Sequence, residues 1–166
     1  MSEAVATTSV RVSEFLEELG VSQVGPSTFV AKRGSAVVGI HVMPFEGEED
    51  GSADALVQIQ ANVVEGANLT VDVLRQLLEF NHEAAYGGFG LGENGLVTYH
   101  HCLLGSSLAK AELIDVLYEV AKVADDWDDV LVEQAGGVTA IDKLRELKKP
   151  KVQPTIEGPA KTAEAE

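Results

Sequence analysis

Cysteine is nearly absent. Cys102 stands alone among 166 residues, so no disulfide can form within the chain, and a reducing, cytoplasmic setting is expected. Basic residues are few, 12 Lys and Arg against 27 Asp and Glu, for a net charge of -15. Such a field repels phosphate backbones and anionic lipid surfaces, so neither nucleic acid nor membrane is expected as a partner. It attracts a basic protein surface. No apolar run approaches the roughly 18 residues of a membrane-spanning helix. The opening MSEAVATTSV has no basic start and no apolar stretch, so it is not expected to be a secretory signal. The phosphate cradle GxxxxGK[ST] and the nucleophile elbow GxSxG are missing as well.

What is present is the composition of a globular domain, 45% apolar. A chain of this length can bury a substantial core without disulfides or metals. The ends read as loose. Residues 1–8 are small and polar and are expected to be flexible. From Lys148 onward the run KKPKVQPTIEGPAKTAEAE has almost no large apolar side chain and is expected to be a disordered tail. Residues 9–147 are expected to form one domain.

Within it the apolar period alternates between helix and strand. Val12, Phe15, Leu16 and Leu19 follow helical spacing up to Gly20. Thr28–Lys32 and Ser35–Met43 read as two strands joined at Arg33-Gly34. In the second, Val38, Ile40 and Val42 share one face and Val37 and Met43 the other, which suggests cover on both sides. PFEGEEDGSAD, residues 44–54, is an acidic loop, and its charge suits a cationic partner. Ala55–Val64 sets Val57, Ile59, Ala61 and Val63 against Gln58, Gln60 and Asn62, the signature of a sheet with one wet face. Thr70 caps a helix whose expected inner stripe is Val71, Leu74, Leu77, Leu78 and Asn81. Phe89–Leu91 and Leu96–Leu103 form a hairpin across Glu93-Asn94-Gly95. A long helix over Leu108–Gln134, with Leu113, Val116, Leu117, Val120, Ala121, Ala124 and Trp127 at three-to-four spacing, ends at Gly136-Gly137. A short helix over Val138–Leu147 follows. The expected fold is α+β: a largely antiparallel five-stranded sheet with helices on one face, in the order α-β-β-β-α-β-β-α(-α).

This order and its residues resemble the YbjN-like family, which shares its fold with the type III secretion chaperones of the CesT/Tir kind. The resemblance rests on FVAKRGSAVVGIHV, LLEFNHEAAYGGFGL, ENGLVTYHHCLL and ELIDVLYEVAKVADDWDDVL, and spans about Val12 to Gly137. Its most specific piece is the junction Asn81–Leu91, an asparagine ending a helix before glycines and Phe89. The resemblance implies a dimerising sheet domain that binds protein segments or regulates.

Catalytic chemistry finds little footing. GGFGLG, residues 87–92, precedes a hairpin and does not lead a strand into a helix, so it lacks the geometry of a dinucleotide cradle. His100, His101 and Cys102 are adjacent on a strand, with His41 and His82 elsewhere, but no CxxC or HxxxH spacing supports zinc. Asp125, Asp126, Asp128 and Asp129 flank Trp127 without the glycine and closing glutamate of a calcium loop, and read as a solvated helix face. No catalytic residue, cofactor or metal is expected. The expected function is a non-enzymatic, chaperone-like or regulatory module that acts as a homodimer and captures a protein segment by strand addition or pocket insertion. A small-molecule-binding or enzymatic domain using His82, His100 and Cys102 is the alternative. The surplus of apolar residues on the long helix is the expected dimer surface. Phe45, Phe89 and Trp127 are the candidate partner-binding aromatics, although Trp127 also continues the inner stripe of its helix.

Overall fold

The computed structural model describes residues 1–47 and 53–148. The tail from residue 149 and residues 48–52 of the acidic loop lie outside them; the loop's flanks are strand, up to Glu46 and from Ala53.

Helix α1 spans Glu3–Leu16, capped by the Ser2 side chain, which accepts from the N–H of Val5. It therefore begins well before residue 9. Its buried stripe is Val5, Thr8, Ser9, Val12 and Leu16. Two of these five, Thr8 and Ser9, are small and polar, which hid the first two turns from a reading based on large apolar residues. The small side chains let α1 lie close to the segment around Gly105. Arg11 then ties the two together, donating to the carbonyls of Gly105 at 2.9 Å and Leu108 at 2.5 Å.

The strands are β1 (Ser22–Gly25), β2 (Thr28–Arg33), β3 (Ala36–Glu46), β4 (Ala53–Glu65), β5 (Gly88–Leu91), β6 (Val97–Leu104) and β7 (Val138–Thr139). The sheet thus has seven strands rather than five. Its order is β1-β2-β3-β4-β6-β5, with β7 paired to β4, and every pairing is antiparallel. The two extra strands left no pattern to read. β1 is an edge strand with three of four residues exposed, and β7 has two residues.

Cross-strand partners in a sheet share a face. Phe29, Ile40, Ile59 and His101 form one row; Val38, Ala61 and Tyr99 form the next. This face carries the core and is covered by α1 and by α3 (Lys110–Ala135). The opposite face carries His41, Gln58, Gln60, Asn62, His100 and Cys102. Helix α4 (Ala140–Lys148) lies on that polar face, where Ala140, Lys143 and Leu144 border a cleft with Val37, Gly39 and Gln60. So helices occupy both faces, and Val37 gains partial cover from α4. The Lys143–Glu65 ion pair, 3.2 Å, fastens α4 to the end of β4.

The hairpin turn is as expected. Asn94 and Gly95 take φ of 56° and 68°, a region open to asparagine and glycine. Helix α2 (Val71–Glu83) departs from expectation. Its buried stripe is Val73 and Leu77, with Phe80 packed beside them, while Val71 and Leu78 face solvent. The apolar residues of α3 are largely used: Leu113, Val116, Leu117, Val120, Ala121, Val123, Ala124 and Leu131 are all buried in the one chain. Tyr118 and Val130 of α3 stay exposed, but the most exposed apolar side chains of the two helices are Val71 and Leu78 of α2.

The aspartates of α3 are not all solvated. The β2–β3 turn docks on them: Asp125 accepts from the N–H of Ser35 at 2.7 Å and from its hydroxyl at 2.8 Å. A side chain on Gly34 would collide with the Asp125 carboxylate. These bonds hold the Asp125 carboxyl below its usual range. Asp128 is only 2% exposed, and burial pushes its carboxyl up, against a partly offsetting bond from Ser35. The two groups act on stability with opposite sign. Asp125 stabilises the fold above the unfolded carboxylate pKa, and that contribution is lost as pH falls through its lowered folded value. Asp128 disfavours the fold when ionised, and that cost is relieved as pH falls through its raised folded value. Asp128→Asn is therefore expected to raise the melting temperature at pH 7 by a few degrees, with the gain shrinking toward pH 4. A fall in melting temperature at pH 7 would contradict this.

Candidate functional site

A sheet binds an extended chain at a border strand, where unpaired N–H and C=O groups form a ready template. Among the described residues the border strands are β1, β5 and the two-residue β7. β1 lies open: Val24 is 62% exposed. On the helix side of β1, two grooves meet at Val21. One, of about 340 Å³, is lined by Ser13, Glu14, Leu16, Glu17, Gln23 and Phe29. The other, of about 330 Å³, is lined by Leu19, Ala31, Lys32, Arg33, Leu117 and Tyr118. The first has an apolar floor from Leu16 and Phe29 and a rim carrying two carboxylates and no cation. Chemically, that suits an extended segment presenting apolar and basic side chains together.

A second apolar surface lies on the outer side of α2. Val71 is 70% and Leu78 68% exposed. With Leu74, Arg75, Glu79, His82 and Glu83 they line a shallow depression. Residues 71, 74 and 78 form one stripe and 73, 77 and 80 another, so the signal in the sequence was an α2 apolar on two sides.

The three candidate aromatics do not converge. Phe45 is 38% exposed near the end of β3, on the polar face of the sheet. Phe89 and Trp127 are brought together on the core side, centroids 5.2 Å apart, in a cluster with Phe80 and Tyr99. Both are partly buried. Phe80 and Tyr99 were not singled out from sequence; their roles depend on α2, β5, β6 and α3 meeting at one corner. Tyr99 is fully buried, donates to the carbonyl of Tyr86, and burial moves its phenol up to about 12.

His82, His100 and Cys102 are not gathered into a pocket. His82 borders the outer depression of α2, whereas His100 and Cys102 stand on the polar face of β6. Burial raises the Cys102 thiol, which keeps it protonated and a poor nucleophile. Among the described residues no group of three or more His, Cys, Asp or Glu is placed to hold a metal ion, and no helix is long and apolar enough to cross a membrane.

An antiparallel sheet with α1 and α3 on one face defines an α+β domain with the border strand β1 exposed. The family model described as T3SS (YopN, CesT) and YbjN peptide-binding chaperone 1 matches residues 10–143. The chain belongs to this family. Among solved structures, a chain in the crystal structure of the ExsC–ExsE complex shares the fold, with a TM-score of 0.57 at 18% identity over 78% of this chain and 97% of that one. No curated protein matches.

Proposed function

We propose that this protein is a non-enzymatic, cytoplasmic peptide-binding chaperone that works as a homodimer and takes up an extended, basic segment of a protein partner along β1. The observation that carries this reading is the open β1 border beside a groove with an apolar floor and the carboxylates of Glu14 and Glu17 on its rim. Membership of a peptide-binding chaperone family supports it, as does the net charge of -15. In strand addition the main chain supplies affinity and alternate side chains supply choice. Side chains on the helix side of β1 would meet Leu16, Phe29 and the two glutamates. The dimer seam is assigned to the outer stripe of α2. In an antiparallel pairing about the helix midpoint, Arg75 of one copy falls opposite Glu79 of the other, so charge complements the apolar stripe.

The test uses a fluorescein-labelled peptide of alternating lysine and valine, followed by anisotropy at low salt. The peptide is expected to bind, and the Glu14→Lys/Glu17→Lys double variant to bind it about tenfold more weakly, as expected for two reversed charges at a partly solvated rim. An alternating glutamate–valine peptide should not bind. Equal affinity of the wild type and the double variant would refute the proposed groove.

A further inference from the structure

The β1 and β5 borders of the sheet differ in chemistry. In an antiparallel ladder, successive residues alternate between bonding the neighbouring strand and turning both polar groups away from it. On β5, Phe89 and Leu91 fall in the outward phase, and Phe89, in mid-strand, is the one that is capped. Its N–H donates to Asn81 Oδ1 at 2.7 Å, and its C=O accepts from Asn81 Nδ2 at 3.2 Å. A further strand would make the same two bonds with Phe89. One side-chain amide, projecting from α2, therefore takes the place of a strand. The N–H of Gly87, just before β5, is also taken, donating to His101 Nδ1 at 3.0 Å.

Packing holds the amide in position. Phe80, the residue before Asn81, lies 5.3 Å from the ring of Phe89, 6.0 Å from Tyr99 and 5.1 Å from Trp127, edge to face in each case. The aromatic corner thus sets the rotation of α2 that aims Asn81 at β5. β1 has no equivalent. The Gln23 amide turns back to the carbonyl of Gly25 within its own strand, at 3.1 Å. Among the described residues, no side chain bonds both polar groups of any one β1 residue.

We infer that Asn81 caps the β5 border at Phe89 against incoming strands and so favours strand addition at β1 over β5, the two-residue β7 being too short to template one. The preference for β1 rests on the peptide-binding reading above; the closure of β5 does not. A capped border also keeps copies joined through α2 from extending edge to edge into a continuous sheet, the usual hazard of an exposed border strand.

Backbone hydrogen exchange on the full chain reads the cap without any peptide. The Phe89 amide is expected to be protected in the wild type, and Asn81→Ala to speed its exchange at least tenfold while the amides of β3 and β4 keep their protection. Titration with the labelled lysine–valine peptide reads the consequence: one peptide per chain for the wild type and two for Asn81→Ala. An unprotected Phe89 amide in the wild type, or an Asn81→Ala chain that gains no peptide, would overturn the inference. If Asn81→Ala unfolds, Asn81→Leu keeps the side-chain volume and loses both donor and acceptor, and must show the same gain. A wild type that takes up no peptide counts against the β1 reading alone. The closure of β5 is then decided by the Phe89 amide and by whether the variant binds one peptide where the wild type binds none.

Discussion

Trp127→Ala is expected to remove about 3 kcal/mol of stability, the lower part of the range for truncating a large aromatic. The indole is only partly buried, which argues against the upper part. Its ring packs edge to face on Phe80 at 5.1 Å and Phe89 at 5.2 Å, and such pairs contribute beyond area alone. Two elements, α2 and β5, lean on this ring, so the vacated space cannot be filled by one small side-chain shift. The loss is a large share of the roughly 5–15 kcal/mol that holds a domain together. Urea unfolding would measure it: the midpoint should fall with little change in slope. Trp127→Phe should recover much of the loss, because an aromatic face is retained. A change below about 1 kcal/mol would move Trp127 out of the core and make it a surface anchor.

Leu78→Asp should convert a dimer to a monomer. Leu78 is 68% exposed in one chain, so the substitution should leave the melting temperature of an isolated chain nearly unchanged. At a two-fold seam the new carboxylate appears twice and faces its copy across a short distance. Taking each out of water costs several kcal/mol, so the dissociation constant should rise by about a thousandfold or more, about 4 kcal/mol. Light scattering should report two 17.6 kDa chains for the wild type and one for the variant. A wild-type mass of one chain at tens of micromolar would sink the dimer altogether. A variant that stays dimeric would move the seam away from α2.

These two predictions fall on surfaces that the sequence labels unequally. Trp127 continues a clear helical stripe, and the structure places it close to where that stripe points. Leu78 belongs to an apolar stripe too, but which of the two stripes on α2 turns inward is set by Phe80 and Asn81 meeting β5. Nothing local to α2 encodes that choice. The same holds for Asp125 and Asp128, which look like solvent-facing charges until the β2–β3 turn arrives across 90 residues of chain to bond them.

By itself the sequence determined the α+β class, the long α3, the Asn94-Gly95 turn and the wet face of β4. Each follows from local rules: a period of 2 or 3.6 where one face is buried, or a residue able to adopt positive φ. The family was legible for the same reason, since its marks are these patterns in order. Tertiary structure alone decided the seven-strand count, the face taken by α4, the aromatic corner and the cap on β5. A border strand such as β1 buries almost nothing, so it leaves no alternation to read. The pairing of Asn81 with Phe89 joins a helix to a strand eight residues on, and becomes a cap only because, among the described residues, no other strand lies beyond β5.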